Sequence, residues 1–176
     1  MSDLGQRLAG GDEDAFTEVV RQYSRKVYAL CYRTLRDEEE AKDMAQEVFV
    51  RIYTKRESFK GRSSLYTWIY RIALNMCFTH LKKRRVGMVP LEDVERTLSA
   101  READGPGGSV ELETRLATAV ESLSPKQRAV FSMRFYDKMT YKEIAEAVGT
   151  TVGAAKANHH FAVEHLRKIL GEGDET

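Results

Sequence analysis

The chain has 176 residues, 42% of them hydrophobic and 31% charged, with a formal net charge of +1; these values suit one or two small compact domains and exclude disorder along the whole length. Its two cysteines, Cys31 and Cys77, each sit in an apolar segment and outside any CxxC pair, which excludes a disulfide framework or a cysteine-rich zinc site and fits a reducing compartment. The acidic start lacks the profile of a signal peptide, and no apolar run approaches the roughly 20 residues of a membrane span, so a cytoplasmic chain with no membrane insertion of its own is expected.

Proline is scarce and the 3.6-residue rhythm recurs, while strand-like alternation is absent, so the expected fold class is all-α. Residues 12–35 read as one broken or two short helices with Phe16, Val19, Val20, Tyr23, Val27, Tyr28, Leu30 and Cys31 as apolar contacts. The spacing over 37–57 predicts a helix. Ala41, Met44, Ala45, Val48, Phe49, Ile52 and Tyr53 form its apolar stripe, Asp37 is its N-cap, and Lys42, Asp43, Gln46, Glu47 and Arg51 lie opposite the stripe.

A helix over about 64–85 follows, with two apolar rows: Leu65, Trp68, Ile69, Ile72, Ala73, Met76 and Tyr66, Tyr70, Leu74, Phe78. Only Thr67, Arg71, Asn75, Thr79 and Lys82 form a polar strip. A helix this apolar is either deeply buried or offers aromatics to a partner, and it ends in Lys82-Lys83-Arg84-Arg85, which also complements the helix dipole. Charge is strongly segregated here. Residues 51–85 carry 10 basic side chains and 1 acidic one, against 7 basic and 11 acidic in residues 1–50 and 2 basic and 7 acidic in 86–113. Such a block concentrates positive potential where phosphates could release counterions, and leaves acidic faces for a different partner.

Residues 87–109 are acidic and interrupted by glycine and proline, which reads as a flexible linker between domains 1–86 and 110–176. The second domain opens with a helix near 110–122. Two capping boxes follow, Ser124-Pro125-Lys126-Gln127 and Thr140-Tyr141-Lys142-Glu143. The latter starts a short helix ending at Gly149, and Thr151 caps a longer one reaching about Leu170. Short helix, turn and longer helix is the outline of a helix-turn-helix, although any helical hairpin shares it.

Three stretches, in order, resemble the RNA polymerase sigma factors of the extracytoplasmic-function (ECF) type. They are Asp43-Met44-Ala45-Gln46-Glu47-Val48-Phe49; Phe59 to Trp68 with Tyr70-Arg71-Ile72-Ala73-Leu74-Asn75; and Tyr141-Lys142-Glu143-Ile144-Ala145 with Val152-Gly153-Ala154-Ala155-Lys156. The resemblance covers about Gly11 to Leu170. It implies a sigma factor that binds core RNA polymerase and directs promoter recognition, catalyses nothing itself, needs no cofactor or metal, and has an anti-sigma factor as a further partner.

By the same resemblance, Asp43, Gln46 and Glu47 bind the clamp of the polymerase largest subunit, although a solvated acidic face is ordinary for a surface helix. Phe59, Ile72 and Asn75 form a pocket for a flipped base of the minus-ten element, with Arg62 in the base-holding loop. Trp68 either helps separate strands or belongs to the core. Lys82, Arg84 and Arg85 contact phosphates. For the minus-thirty-five element, Lys156, Asn158 and His160 reach base edges and Arg134 contacts the backbone. Departures from the family pattern are His159 in place of Leu, Phe161 in place of Arg, and Arg62 in place of an acidic residue.

Two rivals stand beside this reading. A freestanding helix-turn-helix regulator would leave the basic block 51–85 without a task. An enzyme or metalloprotein could use the cluster His159, His160, Glu164 and His165, but no third ligand, phosphate loop or nucleophile motif accompanies it.

Overall fold

A computed structural model describes residues 3–87 and 108–171, with the side chains of 108–110 excepted; all regular structure among the described residues is helical. The described residues form eight α-helices, in order α1 (Asp3–Ala9), α2 (Glu13–Leu35), α3 (Glu38–Lys55), α4 (Leu65–Gly87), α5 (Gly108–Glu121), α6 (Pro125–Phe135), α7 (Tyr141–Val148) and α8 (Val152–Gly171). A single 3-10 turn, Arg56–Ser58, follows α3. The expected linker lies mostly outside the described residues.

Residues 12–35 differ from expectation by forming one unbroken helix. Its N-cap, Asp12, accepts the N–H groups of Asp14 and Ala15, and the Arg7 guanidinium lies 2.8 Å from its carboxylate. These bonds, the Ala15 N–H foremost, hold the Asp12 carboxyl below the usual carboxylate range. The charges between the apolar positions face solvent, so nothing in the middle of the helix calls for a break. It ends at Arg36, in the left-handed conformation (φ 58°), whose N–H bonds to Tyr32 O.

Helices α2, α3 and α4 pack around Val19, Val27, Leu30, Val48, Ile52, Ile69, Tyr70 and Leu74, all buried. Thr67, read as part of the exposed polar strip, is instead buried: Ser64 caps α4 through its N–H, and the two hydroxyls bond at 2.9 Å. Both expected capping boxes are complete, at Ser124 on α6 and Thr140 on α7, and Thr151 caps α8 through the Ala154 N–H.

The larger core does not stop at the first four helices. It continues through Val130, Met133, Met139, Ile144, Ala147 and Val148, while a smaller cluster joins α5, α6 and α8 through Val120, Leu123, Phe131, Ala162 and Leu166. Polar contacts line the junction between the two halves. The Tyr70 hydroxyl donates to Asp137 at 3.1 Å, and Arg33 lies 3.9 Å above the Tyr136 ring. Burial pushes the Tyr70 phenol far above its ordinary range, which keeps it a donor. Arg128, 7% exposed, sends Nη2 to Thr34 O at 3.0 Å and Nη1 to Glu121 O at 3.3 Å. Replacing it with alanine strips buried carbonyls of a charged donor and leaves a void. Arg128→Ala is expected to cost about 2 kcal/mol and lower the thermal midpoint by about 4–8 °C, read by calorimetry.

Candidate functional site

The apolar stripe of α3 turns Ala41, Met44, Ala45, Val48 and Ile52 inward, and helical geometry then forces Asp43, Gln46, Glu47 and Val50 outward, where all four are exposed. Lys42 lies 3.1 Å from both Glu38 and Glu39, and its pKa rises well above its ordinary value through those two hydrogen bonds. Glu40 is engaged by Arg84 at 3.0 Å and His80 at 3.4 Å. Among the described residues no ion pair forms with Asp43 or Glu47. The glutamates of the first turn of α3 are thus engaged by Lys42 and by α4, while its middle presents carboxylates without ion pairs among the described residues.

On the flank of this face, α3 and α4 enclose an open groove of about 570 Å³. Met44, Trp68, Ile72 and Met76 supply its apolar surface, Ser58, Asn75, Thr79 and His80 its polar groups, Arg51, Lys55, Arg71 and Lys83 its cations, and Glu47 a single carboxylate at its edge. The structure therefore brings Trp68, Ile72 and Asn75 together. Phe59 lies apart from the groove wall: it is 2% exposed and packs against Trp68 with ring centroids 5.3 Å apart, so it supports the indole from behind. Arg62 is exposed in the loop before α4, Lys82 and Arg85 are exposed at its far end, and Arg84 is turned toward Glu40.

Sequence reasoning passed over four groove cations. Their signal was present: Arg71, Asn75 and Thr79 advance by four, and the next step of that row is Lys83 rather than Lys82, while Arg51 and Lys55 keep the same spacing on α3. A cationic, partly aromatic groove of this kind is the chemistry that takes unpaired nucleic-acid strands, with bases on rings and phosphates on the cations.

The third surface is the pair α7 and α8, joined through Gly149 in the left-handed conformation (φ 76°). Lys156 and His160 are exposed on α8. Asn158 is not available in the same way, because its amide donates to Ala154 O at 2.9 Å within the helix. Arg134 donates to Met139 O at 2.9 Å and lies 4.8 Å from the Tyr141 ring, bracing the turn into α7.

His159 is half-buried between Phe131 and Tyr141, whose hydroxyl is 2.9 Å from Nδ1. Burial, then Arg134 and His160, push its pKa below the ordinary 6.5. A histidine held neutral in the folded state and protonated in the unfolded one contributes stability above about pH 6.5, lost as pH falls toward its folded value. Urea unfolding is therefore expected to show a lower midpoint at pH 5.5 than at pH 7.5, and His159→Leu is expected to flatten that difference. The other members of the suspected metal cluster turn elsewhere: Glu164 pairs with Arg167 at 2.8 Å and His165 bonds to Ser122 at 2.8 Å.

Comparison with known proteins decides between the rivals. Residues 19–86 match the profile of Sigma-70 region 2, and residues 113–166 match Sigma-70, region 4. The chain belongs to the ECF-type RNA polymerase sigma factors. It is 35% identical over 175 residues to the ECF RNA polymerase sigma factor SigW of Bacillus subtilis (strain 168), covering 94% of each chain. It is 32% identical over 173 residues to the ECF RNA polymerase sigma-E factor of Escherichia coli (strain K12), covering 93% of this chain and 90% of that one. Its fold matches the sigma factor RpoE of Bartonella quintana, solved in complex with the anti-sigma factor NepR, with a TM-score of 0.71 at 20% identity over 89% of this chain and 96% of that one. The region 2 match spans the α3 face and the groove of this sigma factor, and the region 4 match spans α6, α7 and most of α8. A sigma factor directs promoter recognition in transcription initiation, and the freestanding regulator is not favoured.

Proposed function

We propose that the three surfaces divide the work of initiation among them. The exposed Asp43, Gln46 and Glu47 dock on a basic helical element of core RNA polymerase. The groove takes the melted minus-ten strand, with Ile72 and Trp68 against an unstacked base and Asn75 on its edge, while Lys82 and Arg85 join the groove cations on phosphates. Phe59 acts through the indole it supports, and Arg62 reaches the strand from its loop. Helix α8 reads the minus-thirty-five element with Lys156 and His160, and Arg134 holds the turn that presents it.

The observation that carries this reading is the adjacency, along α3, of an acidic face without ion pairs and a groove with four cations and an indole, the two meeting at Glu47: one suits a basic protein surface and the other a polyanion. On this reading residues 1–86 and 110–176 form the two functional domains, the protein works in the cytoplasm, and the catalytic chemistry of RNA synthesis belongs to the polymerase. An anti-sigma factor is a further partner, as for the Bartonella quintana relative in fold.

The test uses fork-junction DNA whose minus-ten nontemplate strand is unpaired. The sigma factor with core polymerase is expected to prefer it over fully paired DNA, and Asn75→Ala is expected to reduce that preference about tenfold while leaving core binding unchanged. An unchanged preference in Asn75→Ala would remove the base contact.

A further inference from the structure

The exposed side of α8 includes Lys156, Ala157, His160, Phe161 and Glu164. Phe161 is 60% exposed, an unusual state for a phenyl ring on a helix whose opposite side has a core to enter, where Ala155, Ala162 and Leu166 are buried. It takes no part in the neighbouring apolar groove lined by Leu112, Phe131, Val163, Leu166 and Leu170, so its exposure is not an extension of that groove. It sits instead beside His160, the two ring centroids 6.1 Å apart.

Asn158 is half-buried and one N–H of its amide is turned back to Ala154 O, so it adds little to the outward side of the helix. Lys156 and His160 remain as polar groups, Glu164 is paired with Arg167, and Ala157 and Phe161 lie between them as apolar surface. The one apolar feature that base edges offer in a major groove is the C5-methyl of thymine, which alanine and phenylalanine contact.

We propose that Phe161, with Ala157, forms an apolar strip that selects thymine in the minus-thirty-five element. The inference rests on the assignment of α8 as the reader of that element. The two residues are one helical step of four apart, about 6 Å along the axis, so they would meet methyl groups about two base-pair steps apart.

The experiment uses the full chain with core polymerase on a duplex chosen by repeated selection from a randomised minus-thirty-five element. Each thymine there is then replaced by deoxyuridine, which removes the methyl group and nothing else. For the unaltered protein, at least one replacement is expected to weaken binding about fourfold, the worth of one buried methyl. Phe161→Ala is expected to weaken binding to the thymine duplex by a similar factor and to lose the sensitivity at the thymine that faces position 161, while keeping any at the thymine that faces Ala157; Phe161→Leu keeps part of the sensitivity at both. Since the ring is exposed, thermal midpoints of these variants should match the parent. A Phe161→Ala protein as sensitive to deoxyuridine as the parent overturns the inference, as does one whose only loss is in binding to polymerase. Lys156→Ala separates the two levels: if it too leaves binding to the element unchanged, α8 is not the reader, whereas a loss there with none at Phe161 refutes the thymine contact alone.

Discussion

Reversing two charges on α3, Asp43→Lys with Glu47→Lys, is expected to weaken binding to core RNA polymerase about 100-fold or more and leave the fold intact. Both side chains are exposed and neither forms an ion pair among the described residues, so within the protein the change breaks no contact. Glu47 also lines the groove, so binding to core polymerase without DNA reads the docking loss by itself: attraction to basic residues becomes repulsion there, and like charges brought together at an interface cost several kcal/mol. The neighbouring carboxylates supply the control. Glu38 and Glu39 are already held by Lys42, and reversing them should change polymerase affinity by less than about threefold. Fluorescence titration with labelled chain reads both, and circular dichroism confirms that α3 persists.

The second large effect is on the salt dependence of strand binding. Arg51, Arg71 and Lys83 converge on the groove from two helices. Each phosphate neutralised on a single strand contributes about 0.7 to the slope of log affinity against log salt, so replacing all three with alanine should make that slope shallower by about 2. The weakening should be nearly the same for every sequence, because phosphates carry no base information. Asn75→Ala should behave in the opposite way, altering sequence preference and leaving the slope unchanged. A triple variant with the parental slope would show that the strand runs elsewhere.

These two surfaces were legible in the sequence to different degrees, for physical reasons. The α3 face follows from periodicity alone: once Ala41, Met44, Ala45, Val48 and Ile52 are set inward, Asp43, Gln46 and Glu47 have only solvent to face. Capping chemistry likewise marked the starts of α6, α7 and α8, since Ser124, Thr140 and Thr151 act within three residues of themselves. The groove was harder, because its walls are contributed by α3 and α4, more than a dozen residues apart. Local spacing cannot say that Phe59 lies behind Trp68 instead of beside Ile72. Nor could it show that Arg84 turns to Glu40, which leaves Lys82 and Arg85 exposed and Lys83 on the groove.

The second half shows the same limit at the scale of single atoms. Asn158 lies in the part of α8 where a base reader is expected, yet its amide bonds within the helix to Ala154. His159, a departure from the family pattern, gains a purpose only when Tyr141 and Phe131 are seen around it. The continuous core that runs from Tyr70 through Met133 to Val148 was also beyond reach, since the residues that meet at the junction, such as Tyr70 and Asp137, are far apart along the chain and local spacing does not pair them.

Run-off transcription from the DNA upstream of this protein's own gene, with purified bacterial core polymerase, reads docking and promoter choice in one assay. Initiation at a discrete site is expected only when the chain is added, and none when the added chain carries Asp43→Lys and Glu47→Lys. Starts that are as frequent and as scattered with the chain as with core polymerase alone would contradict that expectation.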